Sequence, residues 1–181
     1  MTNTSETLTG ERADLLETLQ KHRGLFRFTV QALDDEQART RSTVSELTLG
    51  GLVKHVAATE KHWAGFVVDG PAPMPDIDWA NVDWSNPPPE VAAYAAEFQM
   101  LEGETLAGLL AEYDAVAAAT DELVAGVDLD QRQPLPKAPW FPAGATWSAR
   151  RVFVHIVAET AQHSGHADII REAIDGQKSM G

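Results

Sequence analysis

The chain has 181 residues, 44% of them hydrophobic, with 27 acidic and 14 basic side chains for a net charge of −13 and no cysteine. Missing cysteine excludes disulfides, thiolate metal sites, iron–sulfur clusters and an internal thiol nucleophile, so any thiol chemistry must enter with a bound small molecule. The acidic balance, with no basic cluster longer than Arg150-Arg151, would repel phosphate backbones and argues against a nucleic-acid partner.

The opening MTNTSETLTGERADLL has neither a basic n-region nor an apolar h-region, and no run approaches the roughly 18 apolar residues of a membrane span. The expectation is a cytoplasmic protein with no membrane partner, folded as one domain over residues 1–181. A first helix is predicted over 11–33, where Leu15, Leu16, Leu19, His22, Phe26, Val30 and Leu33 recur at helical spacing; Asp34-Asp35 then favours a turn. A second runs over 49–68 behind Thr48 as N-cap, with Leu52, Val56, Thr59, Trp63 and Phe66 on one face, and Asp69-Gly70-Pro71 ends it.

All ten prolines fall in 71–89 or 134–142, which marks both stretches as loops. The first of them makes the link to the third helix longer than 30 residues, with a short helical turn expected within 90–99. The third helix is predicted near 102–125, closed by Gly126, and the fourth from Thr146 or Ser148 to Gly176. No alternating strand pattern competes. Four amphipathic helices can bury their apolar stripes only against one another, so the expected fold is all-α, a four-helix bundle with a long crossover between its second and third helices.

The fourth helix carries His155, Glu159, His163 and His166, which at about 100° per residue fall on one narrow polar stripe. Imidazole and carboxylate are ligand types for zinc, nickel or iron. His155 and His163 are about 12 Å apart along the axis, too far to share one ion through bonds near ~2 Å. The pairs 155/159, 159/163 and 163/166 all remain feasible, and a further ligand has to come from another helix, where His55 is the natural candidate. His22 and His62 lack such company and read as structural, and Asp168 points away from Glu159. Arg150 or Arg151 could receive an anionic substrate group, although first-turn arginines are commonly just solvated. Trp79, Trp84 and Trp140 in the proline-rich loops, with Trp147 beyond them, could wall a pocket or simply cover the end of the core.

The segment Leu47 to Val56 followed by Glu60-Lys61-His62-Trp63 resembles the second-helix signature of the DinB-like (YfiT-like) superfamily. The stretch Trp147 to Glu172, with His155-Ile-Val-Ala-Glu159 and His163-Ser-Gly-His166-Ala-Asp168, resembles the fourth-helix signature of its actinobacterial, mycothiol-dependent branch, and Gly103-Glu104-Thr105-Leu106 also fits. The resemblance implies a DinB-like four-helix bundle holding one divalent metal through His55, Glu159 and His163. Many relatives have histidine at the position of Glu159; glutamate there is similar to the mycothiol S-transferases and to the metal-binding domain of the maleylpyruvate isomerases. This chain is shorter than the isomerases and lacks their second domain, which puts isomerisation in doubt.

The implied activity is metal-dependent S-transfer, in which a low-molecular-weight thiol of the mycothiol type is activated as thiolate for attack on an electrophile, as in detoxification. Two neutral imidazoles and one carboxylate leave a divalent ion with a net single positive charge, so one thiolate would neutralise the site. Zinc is the expected metal, with nickel or iron also suited; the expected partners are a small-molecule thiol and electrophile. His166 is the candidate catalytic residue, positioned to contact substrate or orient a ligand, and His155 reads as support. The same ligands could instead activate water in a hydrolase or serve a non-catalytic binding bundle. Relatives of this kind often dimerise, so a homodimer is a further expectation.

Overall fold

The computed structural model describes residues 8–73, 81–138 and 140–179, and in them the chain is predominantly helical. Six helices form: α1 (Glu11–Phe28), α2 (Asp35–Arg39), α3 (Leu49–Asp69), α4 (Pro89–Ala96), α5 (Leu106–Gly126) and α6 (Ala149–Asp175), with strands β1 (Arg132–Pro134) and β2 (Thr146–Ser148) between α5 and α6. The starts of α3, α5 and α6 are set by side-chain caps: Thr48, Thr105 and Ser148 accept hydrogen bonds from the backbone N–H groups of Gly51, Gly108 and Arg151 at 3.1, 3.1 and 3.2 Å. Gly70 and Gly176 end α3 and α6 with φ of 77° and 81°, conformations costly for other residues.

Three local expectations change. The first helix stops at Phe28 rather than continuing to residue 33, because Thr29 to Ala32 tighten into turns and Ala32 takes φ 60°. Asp34-Asp35, read as a turn, instead opens α2: Asp34 and Gln37 exchange hydrogen bonds in a capping box. The proline-rich loop 134–142, around which no strand was expected, is bracketed by an antiparallel pair in which Gln133 faces Trp147. The short helical turn expected within 90–99 is α4.

The four long helices pack in a cycle: α3 lies against α5 and α6, while α1 lies against α6 and, less extensively, α5. Their buried residues form two apolar clusters. One centres on Phe26, Leu52, Val56, Leu109, Tyr113 and Ile170, the other on Leu19, Phe66, Val124, Val152, Phe153 and Ile156. Between these levels along the helices sits a buried ionic layer. Arg23 on α1 donates from Nη2 and Nε to Glu60 of α3 at 2.5 and 3.2 Å, and from Nη1 to Asp121 of α5 at 2.6 Å. Burial works against the Arg23 charge, and Glu60 and Asp121 outweigh it.

α6 is tied at both ends. Arg150 pairs with Glu11 and Asp130, and Arg171 donates to the carbonyls of Thr29 and Gln31, each at 2.9 Å. No helix among the described residues is long and apolar enough to cross a membrane.

Candidate metal centre

His55 points from α3 toward α6 and is 7% exposed. Its ring meets that of His163 edge to face, with centroids 4.8 Å apart and planes at 80°. Its other neighbour is Phe98, stacked at 3.9 Å and 23°. Phe98 reaches His55 because the chain just after α4 lies flush on α3 at Gly50-Gly51. A Cβ on Gly51 would stand 2.0 Å from the Phe98 carbonyl oxygen, and one on Gly50 2.6 Å from Met100 Sδ. His55 Nε2 lies 3.4 Å from Thr59 Oγ1, and the buried Nδ1 has no hydrogen-bond partner.

On α6, Glu159 sits between two histidines one turn away on either side. Its Oε1 is 3.3 Å from His155 Nε2, and its Oε2 is 3.8 Å from His163 Nε2. His163 Nδ1 lies 3.5 Å from His166 Nδ1. The stripe seen in the sequence is therefore a chain of near contacts, and only its His163 end meets His55. His155 faces elsewhere, against Trp63 of α3 and Trp147 of β2 with centroids 4.7 and 5.0 Å away, and those two indoles stack on each other at 5.0 Å.

Electrostatics favour neutral imidazoles. Burial, reinforced by His163, pushes the His55 pKa down to about 4. Burial also lowers the His163 pKa, aided by His166 and opposed by Glu159. The His155 pKa is lowered by burial against the opposing pull of Glu159, so a neutral ring is favoured beside that carboxylate despite their 3.3 Å approach. Neutral rings can offer a lone pair to a metal. As they stand, the side chains are not drawn into a closed cage: among the described residues no three His, Asp or Glu groups are arranged to hold an ion.

The remaining candidates divide clearly. His22 and His62 lie apart from the cluster, His62 packing its ring on Trp63. Asp168 accepts the Ser179 N–H at 2.7 Å, away from the histidines. Arg150 is occupied by Glu11 and Asp130, whereas the Arg151 guanidinium lies over the Trp147 ring at 4.3 Å. Trp84 and Trp140 are 68% and 72% exposed, and Trp79 lies outside the described residues. Two grooves of about 610 and 670 Å³ run between α1 and α5 and between α3 and α5, and none of the site histidines lines either. Phe98 was not foreseen as a neighbour of His55, nor the Trp63–Trp147 pair as the housing of His155; the small Gly50-Gly51 pair was the available signal for the first.

A family model described as mycothiol S-transferase matches residues 14–176. No curated protein matches the chain. A solved structure, described as a conserved protein of locus from Enterococcus faecalis, aligns over 94% of this chain and 100% of its own with a TM-score of 0.63 and 19% identity, a likeness of fold alone. Since the matched residues run from within α1 to the end of α6, the chain belongs to the mycothiol S-transferase family, a DinB-like family.

Proposed function

We propose that the chain is a divalent-metal-dependent S-transferase of the mycothiol type, built as a single-domain four-helix bundle over residues 1–181 with a long crossover between α3 and α5. In this reading it is cytoplasmic, and His55, Glu159 and His163 hold the ion. The observation that carries it is the meeting of His55 with the Glu159/His163 pair across the α3–α6 contact, in a chain of this family.

The donor set fits such an ion chemically. His55 and His163 are kept neutral by burial, His55 presents a buried ring nitrogen with no partner, and Glu159 supplies the single compensating charge. Donor atoms around a tetrahedral ion with bonds near ~2.1 Å stand roughly 3.4 Å apart, so the 3.8 Å between Glu159 and His163 requires only a small side-chain adjustment. Zinc suits two imidazoles and a carboxylate best, and nickel or iron accept the same donors. When bound, the ion supplies Lewis acidity that ionises a thiol whose ordinary pKa is about 8.5.

The chain's own residues do the rest. Phe98 and Thr59 hold the His55 ring against rotation. His166, beside His163 and partly exposed, is placed to contact the thiol or its electrophile. Holding the two reactants together supplies the larger share of the rate.

The test combines metal analysis of the purified protein with S-conjugation of mycothiol to a model electrophile. Joint loss of metal and conjugation in His55→Ala is the expected outcome. A wild-type protein that takes up no zinc, nickel or iron would refute the reading.

A further inference from the structure

Resting on the metal reading above, we infer that His155 is a positioning residue for the Glu159 carboxylate. Its Nε2, in contact with one carboxylate oxygen, is placed to hold that oxygen so that the other is presented toward His163 and the ion. His155 Nε2 stands 3.3 Å from Oε1, while Oε2 is the oxygen nearer His163. A carboxylate on a helix surface ordinarily samples several rotamers, and a donor one turn back removes that freedom for one oxygen.

The imidazole is itself held. Trp63 from α3 and Trp147 from β2 meet the ring at steep angles of 86° and 68°, and the two indoles stack on each other. The ring therefore cannot swing toward His55, whose company is His163 and Phe98 instead. This separates the α6 histidines by role. Both are one turn from Glu159, yet only His163 meets the histidine of α3, and His155 is housed by tryptophan. Partners that orient a metal ligand typically matter by about 10–100-fold in metal affinity.

Two substitutions distinguish positioning from packing. His155→Phe keeps an aromatic ring between the tryptophans but has no donor, whereas His155→Gln forfeits the ring and keeps an amide N–H to offer Glu159. Zinc affinity would be measured by competition with a chromophoric chelator, supported by the absorption spectrum of the cobalt-loaded protein and by apo-protein melting. Positioning requires His155→Phe to lose about 10–100-fold in zinc affinity with an altered cobalt spectrum, and His155→Gln to retain affinity within about threefold. The reverse order, with Phe benign and Gln damaging, would mean that the ring only fills space, and overturns the inference. Equal, complete loss in both would make His155 a ligand and overturns it too. Wild-type protein that binds zinc and conjugates mycothiol while His155→Phe is unchanged refutes this inference alone; wild-type protein that binds no metal refutes it together with the reading it rests on.

Discussion

Substitution of Glu60 by leucine isolates the Arg23 guanidinium in the middle of the helical packing, and its cost follows from the geometry. Arg23 and Glu60 are 2% and 1% exposed, and Glu60 accepts two of the three hydrogen bonds that Arg23 makes to carboxylates. Charge-assisted bonds contribute about 1.5–3 kcal/mol each, and removing one member of a buried pair costs about 3–5 kcal/mol. Asp121 remains as a partner and is 28% exposed, so some solvation reaches the stranded charge and the lower part of that range applies, about 3–4 kcal/mol. At this chain length each kcal/mol moves the melting temperature by about 2–4 °C, giving a fall of about 6–16 °C. The assay is thermal and urea unfolding of metal-free wild type, Glu60→Leu, Arg23→Met and the double variant. The double variant should recover most of the loss, because no buried charge is left unpaired. A single-variant loss below about 1 kcal/mol, or a double variant at the sum of the singles, would show that the pair is not electrostatically isolated as its burial implies.

For the metal-free protein, stability should fall as pH drops from 6.5 to about 4, since unfolded His55 takes up a proton there that the folded form refuses. That shift amounts to roughly 3 kcal/mol, complete above the unfolded pKa and eroded below it; urea unfolding in this window should show a shallower slope for His55→Leu, and identical slopes would refute the assignment. Gly51→Ala places a methyl 2.0 Å from the Phe98 carbonyl oxygen, so the segment after α4 must lift from α3. A loss of about 1–3 kcal/mol is expected in thermal melting, together with a changed His55 ring resonance in NMR; an unshifted resonance would contradict the contact. His166→Ala should leave bound metal unchanged while lowering kcat for conjugation by about 10-fold or more; loss of metal instead would move His166 among the ligands.

Helix positions were legible wherever a cap or a breaker announced them: Thr48, Ser148, Gly70 and Gly176 all act as the sequence suggests. Gly126 closes α5 as read, being its last residue before Val127 turns extended, whereas the helix starts at Leu106 rather than near 102 because Thr105 supplies the N-cap. The capping box of α2 was readable in Asp34-x-x-Gln37 but masked by the turn preference of paired aspartates. The β1–β2 pair was not readable, since three-residue strands beside a proline-rich loop show no periodicity. In the site, spacing placed Glu159 within a turn of both His155 and His163 and left the choice open. What separates the two is which ring meets His55, a matter of packing between helices remote in sequence, where Trp63 and Trp147 occupy the space beside His155.

The paired anchors of α6 have a consequence for how a ligand is accommodated. With Arg150 fastened to Glu11 near one end and Arg171 to the carbonyls after α1 near the other, the helix behaves as a beam supported at both termini, its span seated on Ile156, Thr160 and Ala167. Such a beam resists sliding and tilting, so the side chains on its half-buried polar stripe approach or separate by their own torsions. Rearrangement of these donors is then a matter of side-chain torsion rather than of helix movement.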